Sequence, residues 1–194
     1  MKLVLGTAEF DPAGYPPGLP ALELAEIRKI LACAKEGGIN IIDTAERYNC
    51  SELLRDEAKG FCIYTKTKDW RVHLDWGENE LRGILYHYRT EESPVKLPFI
   101  HRWVNLGYSV YDREQLPEDR FRILQVPFNI ELTRFKDVFE TYRTVFIRSV
   151  FGRGDLLKRY SVKDCLDFVK PYRSDGVIVG VRSAKELEEI LKCK

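Results

Sequence analysis

The sequence predicts an α/β protein: a parallel sheet covered by helices, folded as one domain. Three observations carry that prediction. Short β-branched or apolar runs alternate with longer amphipathic stretches along the chain, the pattern of strand–helix units whose strands run parallel. A length of 194 residues suffices for one substantial core and is short for two, so 1–194 is expected to be a single domain. No low-complexity segment, linker or short-period repeat interrupts the alternation.

Each element follows from its residues. Residues 3–5 form a strand that ends in the turn Gly6-Thr7. Apolar residues at 22, 24, 27, 30, 31 and 34 keep near-helical period over 22–35, and Gly37-Gly38 stops that helix. Strands are expected at 39–43 and 61–65, with a short helix at 51–59 between them. Two more strands cover 123–128 and 145–150. Between them the apolar positions 135, 138, 139 and 142 predict a helix over 133–142. Ser161 reads as the N-cap of a helix at 162–169. A last strand at 177–181 precedes a helix at 184–192, with Ser183 and Glu186 in capping-box spacing. Periodicity alone leaves a doubly wound sheet and a closed barrel equally open, although no GxGxxG follows the first strand.

Composition excludes several functions. The chain is 44% apolar and 31% charged, as in ordinary soluble globular proteins. Its net charge of +1 comes from 31 basic and 30 acidic residues. Nucleic acid and acidic membranes demand a basic surplus, so neither is expected as a partner. Cys33, Cys50, Cys62, Cys165 and Cys193 are odd in number and contain no CxxC pair, which suits reduced thiols better than a disulfide framework. The opening apolar run is too short for a signal peptide, and no stretch approaches the roughly 20 apolar residues of a membrane helix. A cytoplasmic protein is expected.

The chemistry concentrates where strands end. Asp43 closes one strand, Tyr48 follows in the loop, and Lys66 closes the next strand in Cys62-Ile-Tyr-Thr-Lys66. A tyrosine with its usual pKa of about 10 is a poor acid at neutral pH. Lowering it by two units takes roughly 2.7 kcal/mol, and an ammonium about 4 Å away supplies on the order of 4 kcal/mol at an effective dielectric near 20. Tyr48 as acid, Lys66 as its tuner and Asp43 as anchor are therefore sufficient to protonate a carbonyl oxygen.

On these residues the chain resembles the aldo-keto reductases. Asp43, Thr44-Ala45, Tyr48, Ser51-Glu52 and Thr65-Lys66 stand in the family's order. Further matches run through Leu106-Gly-Tyr-Ser109, Ile123-Leu-Gln125-Val-Pro-Phe-Asn129, the segment 145–157 and Val177-Ile-Val-Gly180-Val-Arg-Ser183. The resemblance implies a (β/α)8 TIM-type barrel with its site on the C-terminal face, and an NADPH-dependent carbonyl reductase with a small-molecule carbonyl substrate; NAD remains possible as cofactor, and no metal is expected. The catalytic set it implies is Asp43, Tyr48, Lys66 and a histidine ending strand four. His87 and His101 are candidates for that histidine. Strand five should contain 106–109, and His101 leaves too few residues for a crossover, which favours His87. Helical spacing of Leu81, Ile84, Leu85 and Tyr88 is the argument for His101. His73 reads as surface.

The implied cofactor positions are Thr7, Ser109, Gln125, Arg148, Ser149, Phe151, Gly152, Gly154, Gly180, Arg182, Ser183 and Glu189. Ser109 and Gln125 match carboxamide ligands, Phe151 to Gly154 the loop along the pyrophosphate, and Arg182 with Ser183 a 2′-phosphate site. There are departures. Val110 replaces an asparagine, Arg148 an aromatic that stacks on nicotinamide, and Ile190 an asparagine near adenine. The chain is short against the roughly 250 residues of such barrels, so helices between strands 3 and 6 should be reduced or missing, and a homo-oligomer would cover the exposed apolar surface. Trp70, Trp103 and Phe10 are expected to pack more than to line a pocket. Two other readings are a non-catalytic or regulatory dinucleotide-binding barrel and a Schiff-base lyase using Lys66.

Overall fold

A computed structural model describes residues 1–15, 17–68, 76–88 and 105–194. Its strands are β1 (Leu3–Gly6), β2 (Ile41–Asp43), β3 (Cys62–Thr67), β4 (Glu80–His87), β5 (Asn105–Ser109), β6 (Ile123–Pro127), β7 (Thr144–Arg148) and β8 (Gly176–Gly180). Its helices are α1 (Leu24–Glu36), α2 (Ser51–Glu57), α3 (Val138–Thr141), α4 (Val162–Val169) and α5 (Ala184–Lys192). Each strand pairs in parallel with the next, and β8 pairs with β1, closing an eight-stranded barrel. Closure decides against the doubly wound sheet.

Strand alternation divides the core in two. Leu3, Leu5, Ile42, Ile63, Leu124, Val177 and Val179 point outward into the layer beneath the helices. Val4, Ile41, Leu85, Ile123, Phe146 and Ile178 point inward and plug the lumen, with Cys62 and Tyr64 against them. Two glycines make room for that plug. A Cβ at Gly83 would lie 2.4 Å from the Tyr64 ring, and one at Gly107 only 2.2 Å from the Ile123 carbonyl oxygen.

The helices bury the stripes their periodicity announces. In α1 these are Ile27, Ile30, Leu31 and Ala34, and in α4 Cys165, Leu166 and Val169. Ser161 caps α4 in a full capping box with Asp164. At α5 only half of the expected box forms. Ser183 accepts from the Glu186 amide at 3.2 Å, whereas the Glu186 carboxylate turns to the Arg182 amide at 2.7 Å.

The helix expected over 133–142 shrinks to α3. Phe135, Val138, Phe139 and Tyr142 are all buried as the period requires, but Lys136 and Val138 donate three residues back, forming turns that only the last segment converts to helix. Phe128 gathers Phe139, Phe168 and Tyr172 around it at centroid distances of 4.8, 5.6 and 4.7 Å, so aromatic packing holds this region with little helix. Among the described residues no α-helix lies between β3 and β6, where only the 3-10 turn Arg113–Gln115 occurs. No described helix is long and apolar enough to cross a membrane.

Candidate active site

The last inward position of every strand opens on one cavity at the C-terminal mouth: Gly6, Asp43, Lys66, His87, Ser109, Gln125, Arg148 and Gly180. Its volume is about 310 Å³. Just below lies the apolar plug, so a polar layer sits on a dry floor, where charges interact strongly.

Lys66 donates to Asp43 Oδ2 at 2.5 Å, with side-chain exposures of 2% and 8%. Gln125 Nε2 donates to Asp43 Oδ1 at 2.7 Å, and Ser109 Oγ donates to Gln125 Oε1 at 2.8 Å. Both carboxylate oxygens are therefore satisfied, which a buried charge requires. Tyr48 ends the 3-10 turn Glu46–Tyr48, and Asn49 then takes the left-handed conformation, φ 52°, to start α2. Thr67 ties that turn to β3 by donating to Glu46 Oε2 at 2.5 Å. The result places Lys66 Nζ 5.6 Å from the centroid of the Tyr48 ring, and the His87 ring edge-on at 6.4 Å. Asp43, Tyr48, Lys66 and His87 thus come together. His87 ends β4; His73, His101, Trp70 and Trp103 lie outside the described residues.

The electrostatics differ from the expected tuning. Burial raises the Tyr48 pKa first and Asp43 second, against lowering by Arg47 and Arg148. Tyr48 is therefore firmly protonated. Burial lowers the Lys66 pKa, which Asp43 opposes. Burial, then Lys66, Arg47 and Arg148, depress His87 to about 2, so its ring is neutral at neutral pH.

Thr7, Arg148, Ser149, Phe151, Gly154, Gly180 and Arg182 line the same cavity. Gly152 does not line it, and a Cβ there would press on Leu156 at 2.9 Å. Ser183 is engaged as the α5 cap, and Glu189 is exposed on α5 away from the cavity. Arg182 holds the loop after β1, donating to the Tyr15 and Pro20 carbonyls at 2.5 and 2.6 Å. The amides of Arg182, Ala184 and Glu186 are bound by Glu186, Glu26 and Ser183. The open phosphate site expected at the α5 N-terminus is thus filled by the protein's own side chains. Phe10 is 2% exposed and packs in the core.

Sequence reasoning assigned no role to Glu9, Arg47 and Tyr111, all of which line the cavity together with Arg153 of the expected pyrophosphate loop. Glu9 is the least legible, since nothing in Ala8–Phe10 forms a motif. Its Oε1 sits where a Cβ on Gly180 would fall, 2.4 Å away, and its Oε2 is buried without a hydrogen-bond partner. Burial raises its pKa to about 7; a hydrogen bond from its own backbone amide and then Arg182 oppose this, and Glu186 adds to it. Among the described residues no cluster could hold a metal ion.

The cavity offers free groups of the kind that would suit a carboxamide and an anion. Ser109 and Gln125 each retain hydrogen-bonding capacity, a hydroxyl lone pair and a second amide N–H. Along the opposite wall Ser149, Arg153 and Gly154 take positive φ, and beyond Gly154 the space is open, which permits close approach of a backbone-bound anion.

The fold is that of the aldo-keto reductases. A Pseudomonas aeruginosa protein assigned to that family superposes with a TM-score of 0.74 at 19% identity, covering 98% of this chain and 88% of the other. The holo form of an aldo-keto reductase from Bacillus halodurans gives 0.70 at 14% identity, over 99% and 86% of the two chains. The aldose reductase of Schistosoma japonicum gives 0.61 at 16% identity, over 100% and 83%. No sequence-family model matches the chain, and no curated protein is similar to it in sequence. At these identities the likeness establishes architecture.

Proposed function

We propose that this protein is an NADPH-dependent carbonyl reductase of the aldo-keto reductase type. The observation that carries the reading is convergence: the Lys66–Asp43 pair, Tyr48, neutral His87 and the Ser109–Gln125 pair share one cavity wall. When bound, the dinucleotide supplies hydride to the carbonyl carbon. Tyr48 gives its proton to the carbonyl oxygen. Its raised pKa keeps that proton in place until needed, and an alkoxide forming under hydride attack is basic enough to take it. Neutral His87 can donate an N–H to the same oxygen and orient it. The buried Lys66–Asp43 pair lies beside Tyr48, and the Lys66 ammonium, 5.6 Å from the centroid of the Tyr48 ring, would stabilise the phenolate left behind. Ser109 and Gln125 would hold the carboxamide, and the Ser149–Gly154 segment the diphosphate. Arg182, which holds the Tyr15 and Pro20 carbonyls, would have to release part of that grip to bind a 2′-phosphate, so the preference for NADPH over NADH rests on the family resemblance. Free cysteines throughout support a reducing, cytoplasmic setting.

Tyr48→Phe removes the acid and nothing else of size. With NADPH and a panel of reactive aldehydes, its turnover should fall 10²–10⁴-fold, and undiminished turnover would refute the assignment. A second reading, a barrel that does not turn over substrate, draws on the side chains filling the α5 end. Failure of NADPH to bind at high micromolar concentration would favour it. The lyase alternative is less well supported, because direct contact with Asp43 opposes loss of the Lys66 proton and occupies the amine.

A further inference from the structure

We propose that Arg148 sets the redox preference of the bound dinucleotide, favouring reduced nicotinamide over oxidised. The inference rests on the reading that Ser109 and Gln125 hold the carboxamide. Arg148 is the last inward residue of β7, and its side chain crosses the cavity floor towards β5. Nη2 donates to the carbonyl oxygen of Val110, the residue after Ser109, at 2.7 Å. Nη1 donates to Ser149 Oγ at 3.3 Å, and the guanidinium carbon lies 4.2 Å from the centroid of the Tyr111 ring. These contacts hold a planar cation one residue from the Ser109–Gln125 pair.

Among the described residues that cation has no carboxylate in hydrogen-bond or ion-pair contact. Among the described residues its hydrogen bonds go to a carbonyl and a hydroxyl, and its Nε is buried with no partner. Asp43 acts on Arg148 only from beyond contact and is already matched by Lys66 at 2.5 Å. A dihydronicotinamide ring is uncharged, whereas the ring after hydride loss bears one positive charge. A ring held by Ser109 and Gln125 would therefore meet an unbalanced guanidinium only in its oxidised form. A unit charge several ångströms away at an effective dielectric near 20 exceeds thermal energy severalfold. Arg148 would pull the equilibrium towards carbonyl reduction and speed loss of the oxidised cofactor.

The test is binding, measured by titration calorimetry with NADPH and NADP⁺ separately, on wild type, Arg148→Lys and Arg148→Gln. The wild type should bind NADPH at least tenfold more tightly than NADP⁺, about 1.4 kcal/mol. Arg148→Lys should keep most of that ratio. Arg148→Gln should bring it close to one by tightening NADP⁺. A merely structural role would weaken both forms alike and leave the ratio alone. A wild-type ratio near one overturns the proposal whether or not a variant folds, as does an unchanged ratio in Arg148→Gln. If the wild type binds neither form, the carbonyl-reductase reading falls, and this inference with it; equal binding of both removes only the inference.

Discussion

Replacing Glu9 with Gln should stabilise the protein in mild alkali and leave it little changed in mild acid. Glu9 follows β1 in the turn Ala8–Phe10, with one oxygen against Gly180 and the other buried without a partner. Its pKa rises from 4.5 to about 7, burial being the largest cause. A carboxyl with a raised folded pKa binds more protons folded than unfolded between those values, so folding stability declines as pH rises through that window and levels off above it. At about 1.36 kcal/mol per pH unit the ceiling is about 3 kcal/mol, and solvent in the cavity brings the expected loss to roughly 2 kcal/mol. Urea unfolding of both proteins at pH 5 and pH 8 measures it. Near pH 5 folded Glu9 is mostly protonated but unfolded Glu9 is already largely ionised, so about a quarter of the loss is present and the curves should differ by only about 0.5 kcal/mol. Near pH 8 the variant should be more stable by roughly 2 kcal/mol. An equal gain at both pH values, or none at pH 8, would refute the reasoning. The effect of His87 runs the other way with pH, but it is common to both proteins and cancels in the difference.

The buried pair and the histidine give further tests. Asp43→Asn leaves the Lys66 ammonium, 2% exposed, without its counter-charge, and should cost about 3–5 kcal/mol in denaturant unfolding. Asp43→Asn combined with Lys66→Met should recover most of that; a single-variant loss under about 1 kcal/mol would show the pair to be solvated. His87, depressed to about 2, should stay neutral, so its ring carbon NMR shifts should not move between pH 5 and 8. Because its folded pKa lies below the unfolded one, its stabilising contribution is complete above about pH 6.5 and is lost as the pH falls below that. His87→Gln should therefore gain stability relative to wild type near pH 5, and a titration of the ring near pH 6.5 would contradict its burial.

Much of the fold was legible because strand alternation and helical period are local signals. His87, Ser109 and Arg148 end their strands, Lys66 and Gln125 lie one and two residues before the ends of theirs, and parity along each strand places all five inward with the apolar plug below. His87 was favoured over His101 by connection length and by the family-like run Gly83-Ile-Leu-Tyr-His87, against the helical spacing of Leu81, Ile84, Leu85 and Tyr88. The 133–142 segment misled because turns bury the same period of apolar residues as a helix does. At α5 the motif was present, but which groups its amides bind depended on Glu26 of α1 and on the loop that Arg182 grips.

By itself, then, the order of residues determined that strands and helices alternate and which side chains end the strands, since those follow from neighbours a few positions apart. Barrel closure, the Asp43–Lys66 contact across 23 positions and the Gln125–Asp43 bond across 82 belong to the tertiary structure. So do the acidities. Whether Tyr48 keeps its proton and Glu9 gains one depends on how much water and which opposing charges the closed barrel leaves around each group, and no short stretch of chain encodes that.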